Sequence, residues 1–328
     1  RKGYLALMTT LPHLSSAAFL GGSLLALELA AALAKTGTAV TIVEPDPHDA
    51  ERLRSLLARA GVPVTLAPTL AQEARFELLC DSGSLPDPLL TALLGTHTAP
   101  LARLLPSAAP TTGFSLDLHR LPMLQPLLEI GLPQSLNAHA PLAHTLAAAL
   151  NAHLALRADT KPSPGARLQS ALWRAADDLM LQGAVLWEID EILEEAGFAI
   201  GPYAAQDLAG LDWALSLRRL LAPNDTNPIA PRAHAEGRIG RALGWGWYRY
   251  PGGGGRVIDP LTEDLAKEES RFARVPTRDF GHEEILETLT LALLVEARAL
   301  RDDGLLPEAI TATLRLAVGC PRALLPTL

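Results

Sequence analysis

The sequence predicts an α/β fold with a doubly wound parallel sheet in its first half and an all-helical second half. Short apolar and β-branched runs alternate with helical periods between residues 17 and 80, and helical periods without a convincing strand follow residue 159. The chain has 328 residues, of which 48% are hydrophobic and 20% are charged. This composition excludes general disorder, and the length suffices for two domains of ordinary size.

Turn residues and β-branched runs set the elements of the sheet domain. Gly21 and Gly22 form a turn between an apolar run and a helical period, and Gly61 ends a second helical period as a C-cap. The predicted strands are 17–20, 39–43, 62–67 and 76–80, and the predicted helices between them are 24–35 and 49–60. Strands that alternate with helices in this way form a parallel sheet covered by helices.

The predicted domain organisation follows from changes in composition along the chain. The boundaries are 1–15 for a short helix or linker that enters the sheet domain, 16–160 for the sheet domain, 161–250 for a first helical unit, 251–278 for a charged, glycine-rich linker, and 279–328 for a second helical unit. Residues 175–202 and 295–326 resemble each other, since each has a glycine, Gly183 or Gly304, between two helices. The second half is therefore expected to hold two related helical units.

Charge and cysteine content narrow the classes of partner and compartment. The net charge is -8, which gives no basic footprint for nucleic acid. Cys80 and Cys320 are too few for a disulfide framework and lack the spacing of a metal site, so the sequence predicts a reducing, cytoplasmic compartment and no metal. Residues 15–34 are mostly apolar, but Glu28 and the glycine turn interrupt them, which argues against a membrane segment.

The first strand–turn–helix unit is typical of a Rossmann-type dinucleotide site. Its turn places Gly21, Ser23 and Ala26 at the three positions of the glycine fingerprint, with Gly22 between the first two. Ser23 puts a side chain where a diphosphate approaches the backbone. Glu44 follows Gly21 by 23 residues, the interval at which an acid binds the ribose hydroxyls, and this favours NAD over NADP. An ordinary strand-end acid and an ordinary turn are the alternative interpretation.

Two motifs in the helical half carry a more specific resemblance. Residues 192–212 read ILEEAGFAIGPYAAQDLAGLD and residues 237–250 read GRIGRALGWGWYRY. Both resemble the C-terminal domain of the 3-hydroxyacyl-CoA dehydrogenases, in which a Gly-Pro-Phe turn precedes Asp-Leu-x-Gly-Leu-Asp and a Gly-Arg run leads to Gly-Phe-Tyr-x-Tyr. The second helical unit makes the chain most similar to the dehydrogenase part of multifunctional β-oxidation proteins.

The resemblance implies an activity and partners. Members of that family oxidise a 3-hydroxyacyl-CoA to the 3-ketoacyl-CoA with NAD, and a His and Glu dyad removes the hydroxyl proton. It also implies an acyl-CoA thioester substrate, a homodimer formed through the helical domain, and an enoyl-CoA hydratase that lies upstream or acts as a separate protein.

The catalytic positions of the family are only partly matched. Glu129 lies in a Pro-Leu-Leu-Glu run that resembles the one whose Glu orients the catalytic His. An ungapped alignment places Asp117 at the His position, and a two-residue gap would place His119 there. Gln169 occupies the position of an Asn that holds the substrate oxygen, and Ser107 is a further candidate hydroxyl.

These substitutions leave three hypotheses for the function. The first is a 3-hydroxyacyl-CoA dehydrogenase, catalytically impaired if Asp117 replaces the base. The second is a non-catalytic relative that serves as an assembly or acyl-CoA-binding module. The third is another NAD-dependent reductase on the same scaffold.

Overall fold

We describe a computed structural model of the chain. It describes residues 13–71, 73–95, 97, 99–104, 113–159 and 161–324. The helix expected before residue 13 and the candidate Ser107 lie outside these residues. The chain divides into two compact units, one formed by residues up to 118 together with 126–163, and the other by 119–125 together with the chain from 164 onward.

The first unit contains a single sheet of eight strands among the described residues. The strands are β1 (Ser16–Leu20), β2 (Ala39–Val43), β3 (Val64–Ala67), β4 (Leu78–Asp81), β5 (Leu101–Leu104), β6 (Phe114–His119), β7 (Leu127–Gly131) and β8 (His153–Arg157). Their order across the sheet is β3-β2-β1-β4-β5-β6-β7-β8, and every pair whose register is described is parallel. The chain changes direction between β1 and β4, which is the switch point of a doubly wound sheet.

Helices cover both faces of this sheet. They are α1 (Leu24–Lys35), α2 (Pro47–Ala60), α3 (Asp87–Leu94) and α4 (Ala140–Ala149). On one face, Leu29 of α1, Leu53 of α2 and Leu146 of α4 join one buried apolar cluster with the strands. On the other face, Leu90 and Leu93 of α3 pack on a second cluster. These two clusters form the core that the sequence pattern predicted.

The predicted elements of the sheet domain are largely confirmed. The bounds of α1 and β2 are those expected, and Gly61 ends α2 in the left-handed conformation with φ of 61°. No helix joins β3 to β4 among the described residues of that connection. The apolar residues 15–34 divide into β1, a turn and α1, and no helix in the described part of the chain has the length and apolar character to cross a membrane.

The second unit is built around α5. Its helices are α5 (Pro164–Leu181), α6 (Leu186–Glu195), α7 (Pro202–Ala209), α8 (Leu211–Leu221), α9 (Ile229–Ala235), α10 (Pro260–Phe272), α11 (His282–Asp302) and α12 (Pro307–Thr313), followed by a π-helical segment, Leu314–Val318. Helix α5 contacts α7, α8, α9, α10, α11, α12 and the π segment. Twelve of the eighteen residues of α5 are buried, so this helix is the core of the unit.

The two similar stretches adopt similar local structures. Gly183 lies between α5 and α6 with φ of 110°, and Gly304 lies between α11 and α12 with φ of 94°. The loops after each second helix meet directly, since the N–H of Ala199 donates to the carbonyl of Gly319 at 3.0 Å. Residues 251–278, expected as a linker, contain α10, whose Leu265 is buried. Charge in α10 is concentrated on its exposed side, which explains why its sequence resembles a solvated connection.

A buried carboxylate joins the two motifs of the helical unit. Asp207, on α7, accepts hydrogen bonds from the N–H groups of Trp247 at 2.7 Å and Tyr248 at 2.9 Å, and from the hydroxyl of Tyr250 at 2.9 Å. A Cβ at Gly246 would collide with the Asp207 carboxylate, so glycine is required there. These contacts explain why an acid in the first motif occurs with a glycine–aromatic run in the second. The aromatic side chains of Trp247, Tyr248 and Tyr250 are buried, so this run packs within the helical unit.

Asp190 plays the same part at the start of α7. It accepts hydrogen bonds from the N–H groups of Tyr203 and Ala204 at 2.8 and 2.9 Å, and from the Tyr248 hydroxyl at 2.8 Å. Burial raises its pKa to about 7, against the effect of these donors. Burial likewise raises the pKa of Asp207 to about 6. Each carboxylate supplies acceptors to backbone groups that have no helical partner of their own.

Candidate functional site

The turn after β1 has the backbone geometry of the predicted dinucleotide site. Gly21 has φ of 87°, in the left-handed region, and a Cβ there would collide with the hydroxyl oxygens of Ser82 and Ser84. Those serines follow β4, on the other side of the switch point. Nothing in the sequence motif identified them. Glycine at position 21 is therefore required both by the turn and by the approach of the β4 loop.

Ser23 caps α1. Its Oγ accepts the N–H of Ala26 at 3.2 Å, so the hydroxyl folds back on the first turn of its own helix. Ala26 is fully buried against the core, as the third position of the fingerprint requires. The N–H groups of the two residues between Ser23 and Ala26 are the remaining first-turn donors, and such donors bind a diphosphate at a helix N-terminus.

Glu44 lies directly after β2 and faces this turn. It is 7% exposed, and its Oε1 accepts the N–H of Asp46 at 3.2 Å. Burial raises the pKa of Glu44, and Asp49 adds to that shift, while N–H donors from Asp46 and Gly22 oppose it. An acid held beside the glycine turn fits the ribose of NAD. Gly21, Gly22, Ser23, Ala26 and Glu44 thus lie in one region of the first unit, which is where their sequence spacing placed them.

An ion pair joins the ends of β4 and β5. Asp81, paired in register with Arg103, is buried, and its carboxylate lies 2.7 Å from the Arg103 Nε. Asp81 also accepts the N–H of Gly83 at 2.9 Å. Cys80, the neighbouring strand residue, is buried, and burial raises the pKa of its thiol. Asp81 therefore holds the loop that carries Ser82 and Ser84 against the glycine turn.

Asp117 and Glu129 form a pair of buried acids in the first unit. Asp117 lies on β6 and Glu129 on β7, the neighbouring strand, and one carboxylate oxygen of each lies within 4.8 Å of the other residue's. Each side chain is 1% exposed. The hydroxyl of Ser163, which is also fully buried, donates to Asp117 at 2.5 Å. No motif in the sequence indicates a role for Ser163. Asp117 at the ungapped position thus acts as a hydrogen-bond acceptor for its own unit.

His119 is the last residue of β6 and belongs by its contacts to the second unit. Its imidazole is 2% exposed, and its Nδ1 lies 3.2 Å from Oε1 of Gln169 on α5. The amide nitrogen of Gln169 donates to the carbonyl of Ala317 in the π segment at 2.8 Å. The structure therefore brings His119 and Gln169 together, and adds a backbone partner that no side-chain motif could reveal.

The chain is similar to known proteins over both halves. Residues 165–250 match the family model of the 3-hydroxyacyl-CoA dehydrogenase C-terminal domain. The peroxisomal bifunctional enzyme of Cavia porcellus is 32% identical over 178 residues, which are 48% of this chain and 24% of that protein. The human peroxisomal bifunctional enzyme is 31% identical over 179 residues, which are 48% of this chain and 25% of that protein. The matches thus span about a quarter of the length of these relatives.

Two solved structures share the fold over nearly the whole chain. The dehydrogenase part of multifunctional enzyme 1 from C. elegans has a TM-score of 0.58 at 16% identity, covering 94% of this chain and 80% of that one. The 3-hydroxybutyryl-CoA dehydrogenase of Escherichia coli K12 has a TM-score of 0.58 at 15% identity, covering 94% and 90%. At such identities the likeness shows the fold, a Rossmann-type sheet followed by a helical domain. Residues 165–250 are therefore similar to the C-terminal domain of the 3-hydroxyacyl-CoA dehydrogenases, and the chain as a whole shares the fold of these two solved dehydrogenases.

Proposed function

We propose that this chain oxidises a 3-hydroxyacyl-CoA to the 3-ketoacyl-CoA with NAD, as a step of fatty-acid β-oxidation, and that His119 is its general base. The observation that carries the proposal is the buried imidazole of His119 held by Gln169. An imidazole has an ordinary pKa of about 6.5, which suits proton transfer near neutral pH. The expected catalytic His is thus replaced by one two residues further along the same strand.

Asp117 is the less suitable base. Its carboxylate already accepts the hydroxyl of Ser163, whereas an imidazole is the side chain that most often serves as a general base. Glu129 lies close to Asp117, and we assign neither acid of this pair to proton abstraction. The orienting role that the resemblance implies for Glu129 remains a prediction.

The proposed reaction consists of a proton transfer and a hydride transfer, and different residues of the chain serve each of them. The hydroxyl proton of the substrate would pass to the neutral ring of His119, and NAD, when bound, would accept the hydrogen on C3 as hydride. Gly21, Ser23 and the first turn of α1 would hold the diphosphate of NAD, and Glu44 would accept its ribose hydroxyls. Glu44 would repel a 2′-phosphate, so we propose NAD rather than NADP.

The test is acetoacetyl-CoA-dependent loss of NADH absorbance at neutral pH. We expect turnover by the unaltered chain, and a loss of about 10²- to 10⁴-fold in His119→Asn, the usual contribution of a general base. His153→Asn is the matched control, since His153 also lies on a strand of the sheet but is exposed. Retained turnover in His119→Asn together with loss in Asp117→Asn would assign the base to Asp117 instead. A rate with other hydroxy acids and none with CoA thioesters would favour a different reductase.

A second function, a non-catalytic assembly or acyl-CoA-binding module, is supported by one observation. Asp117 stands at the ungapped catalytic position, is buried, and accepts the hydroxyl of Ser163. On this hypothesis a folded chain binds NADH or acyl-CoA without turnover. Fluorescence titration with NADH, in the presence and absence of acetoacetyl-CoA, separates this outcome from a chain that binds neither.

The partners implied by the family are part of the same proposal. They are an acyl-CoA thioester substrate, a homodimer through the helical unit, and an enoyl-CoA hydratase fused upstream or acting separately. Size-exclusion chromatography with light scattering tests the dimer. The cytoplasmic compartment remains a prediction, and the burial of both free cysteines accords with a role as apolar fillers.

A further inference from the structure

The amide of Gln169 bridges an imidazole and a backbone carbonyl within the helical unit. Its Nε2 donates to the carbonyl of Ala317 at 2.8 Å, and its Oε1 lies 3.2 Å from Nδ1 of His119. The Gln169 side chain is 7% exposed and that of His119 is 2% exposed, so water does not compete freely for these groups.

The sequence explains why the Ala317 carbonyl needs this donor. In a continued α-helix it would accept the N–H of residue 321, but that residue is Pro321, which has no N–H. The helix ends instead at Gly319, with φ of 78°, and the N–H groups of Gly319 and Cys320 both turn back to the carbonyl of Leu314. Gln169 thus satisfies a carbonyl that the helix end does not pair.

The carbonyl fixes the orientation of the amide. Because a carbonyl oxygen only accepts, the nitrogen of Gln169 must face Ala317 and the amide oxygen must face the imidazole. The amide oxygen also only accepts, so Nδ1 of His119 must carry a hydrogen. In the neutral ring the lone pair then belongs to Nε2.

We propose that Gln169 is a positioning residue that fixes the Nδ1–H tautomer of His119, so that Nε2 is the proton acceptor. The proposal rests on the proposed role of His119 as general base. It gives Gln169 a task different from that expected by resemblance, in which its amide holds the substrate oxygen. The π segment Leu314–Val318 takes part indirectly, because the carbonyl of Ala317 orients the amide.

Imidazole ¹H–¹⁵N correlation spectra of the full chain test the tautomer without turnover. The His119 signals are identified by their loss in His119→Asn. We expect the neutral ring to show a protonated Nδ1 and an unprotonated Nε2. Gln169→Met preserves the side-chain length but removes both amide groups, and we expect it to shift the ring toward the Nε2–H tautomer. Gln182→Met is the matched control, since Gln182 follows the same helix and donates to the Asp178 carbonyl.

A second variant separates the two halves of the contact. Gln169→Glu keeps an acceptor for the Nδ1–H group but cannot donate to Ala317 when ionised. We expect it to keep the tautomer and to raise the pKa of His119, because a carboxylate beside an imidazole favours its charged form. An Nε2–H tautomer in the unaltered chain, or an unchanged tautomer in a folded Gln169→Met, would overturn the proposal.

Turnover distinguishes this failure from that of the proposed function. In an active enzyme, Gln169→Met should lower kcat by about 10- to 100-fold, the usual effect of removing a group that orients a functional histidine, with little change in KM. Gln169→Glu should recover part of kcat and move the acidic limb of the pH profile upward. A correct tautomer in a chain without turnover would reject the dehydrogenase function alone. Full turnover in Gln169→Met, with normal folding by circular dichroism, would reject the role of Gln169 alone.

Discussion

Two buried acids of the helical unit, Asp190 and Asp207, are held differently from Asp117, a buried acid of the sheet unit. In the helical unit, Asp190 and Asp207 each accept two backbone N–H groups as well as a tyrosine hydroxyl. In the sheet unit, Asp117 accepts the hydroxyl of Ser163. Backbone N–H groups cannot be replaced by mutation, so the acids that serve them must stay acids. A contact between side chains can be rebuilt from other residue types.

Asp207→Asn should give the largest effect. The new amide nitrogen would face donors that the carboxylate now accepts, which leaves buried N–H groups of Trp247 or Tyr248 without an acceptor. We expect the free energy of unfolding to fall by about 3 kcal/mol, as for loss of a charged acceptor with several buried donors. Urea denaturation followed by circular dichroism measures it.

The matched control for that prediction is Asp212→Asn, in the same motif. Asp212 is exposed on α8, and a surface substitution of this kind should change stability by no more than about 0.5 kcal/mol. A loss below about 1 kcal/mol in Asp207→Asn would mean that the motif acid is dispensable. The contrast between the two units would then lose its physical basis.

Ser163→Ala probes the acid of the sheet unit. It removes the hydroxyl that donates to buried Asp117, and we expect a loss of about 1–2 kcal/mol of stability, less than for Asp207→Asn. Ser16→Ala is the control, because the Ser16 hydroxyl makes an exposed contact with the carbonyl of Arg75. A loss in Ser163→Ala equal to that of Asp207→Asn would show that side-chain partners hold an acid as firmly as the backbone does.

The sequence predicted the fold more fully than the site. Apolar periodicity and turn glycines located α1 and β2 at their observed bounds, because burial of one face dictates those patterns. The motif containing Asp207 was found by its resemblance to a family motif, and the structure adds that its partners are backbone N–H groups 40 and 41 residues away. The contact of Gln169 with Ala317 involves a carbonyl 148 residues away, which has no side-chain signature. The sequence did not predict the roles of Ser163, Ser82 and Ser84, because long-range contacts of single hydroxyls leave no local pattern.

Ser23 occupies the second glycine position of the dinucleotide fingerprint, and glycine can be restored there by mutation. Ser23→Ala removes the cap of α1 and should cost about 1 kcal/mol, whereas Ser23→Gly should cost a few tenths of a kcal/mol, because glycine is tolerated at an N-cap. Ser23→Gly also restores the close approach of a diphosphate to the backbone, so we expect it to bind NADH more tightly than the unaltered chain. Thermal unfolding and fluorescence titration provide the two measurements. Weaker NADH binding by Ser23→Gly would instead make the serine hydroxyl a ligand of the cofactor.

Substitution of Glu194 should have the smallest effect on the free energy of unfolding, and the sign of the pH dependence of that effect can be predicted. Arg256 donates to both Glu194 oxygens, at 2.6 and 2.7 Å, and the N–H of Gly201 donates at 3.0 Å. Burial raises the pKa of Glu194, but these donors outweigh burial, and the pKa is lowered from 4.5. The stabilisation is therefore present above pH 4.5 and is lost as the pH falls through the lower, folded-state pKa.

Glu194→Gln measures this contribution directly. We expect it to lower stability at neutral pH by about 1 kcal/mol or less, because the pair is partly exposed and solvent screens it. The difference from the unaltered chain should shrink as the pH falls below 4.5 and vanish below the lower, folded-state pKa, where the carboxylate is protonated in both the folded and the unfolded state. Glu195→Gln, at the exposed neighbouring position, should show no such difference. An effect of Glu194→Gln as large as that of Asp207→Asn would mean that a partly exposed ion pair stabilises the helical unit as strongly as a buried acid bound to the backbone. Side-chain partners would then suffice to make a position irreplaceable.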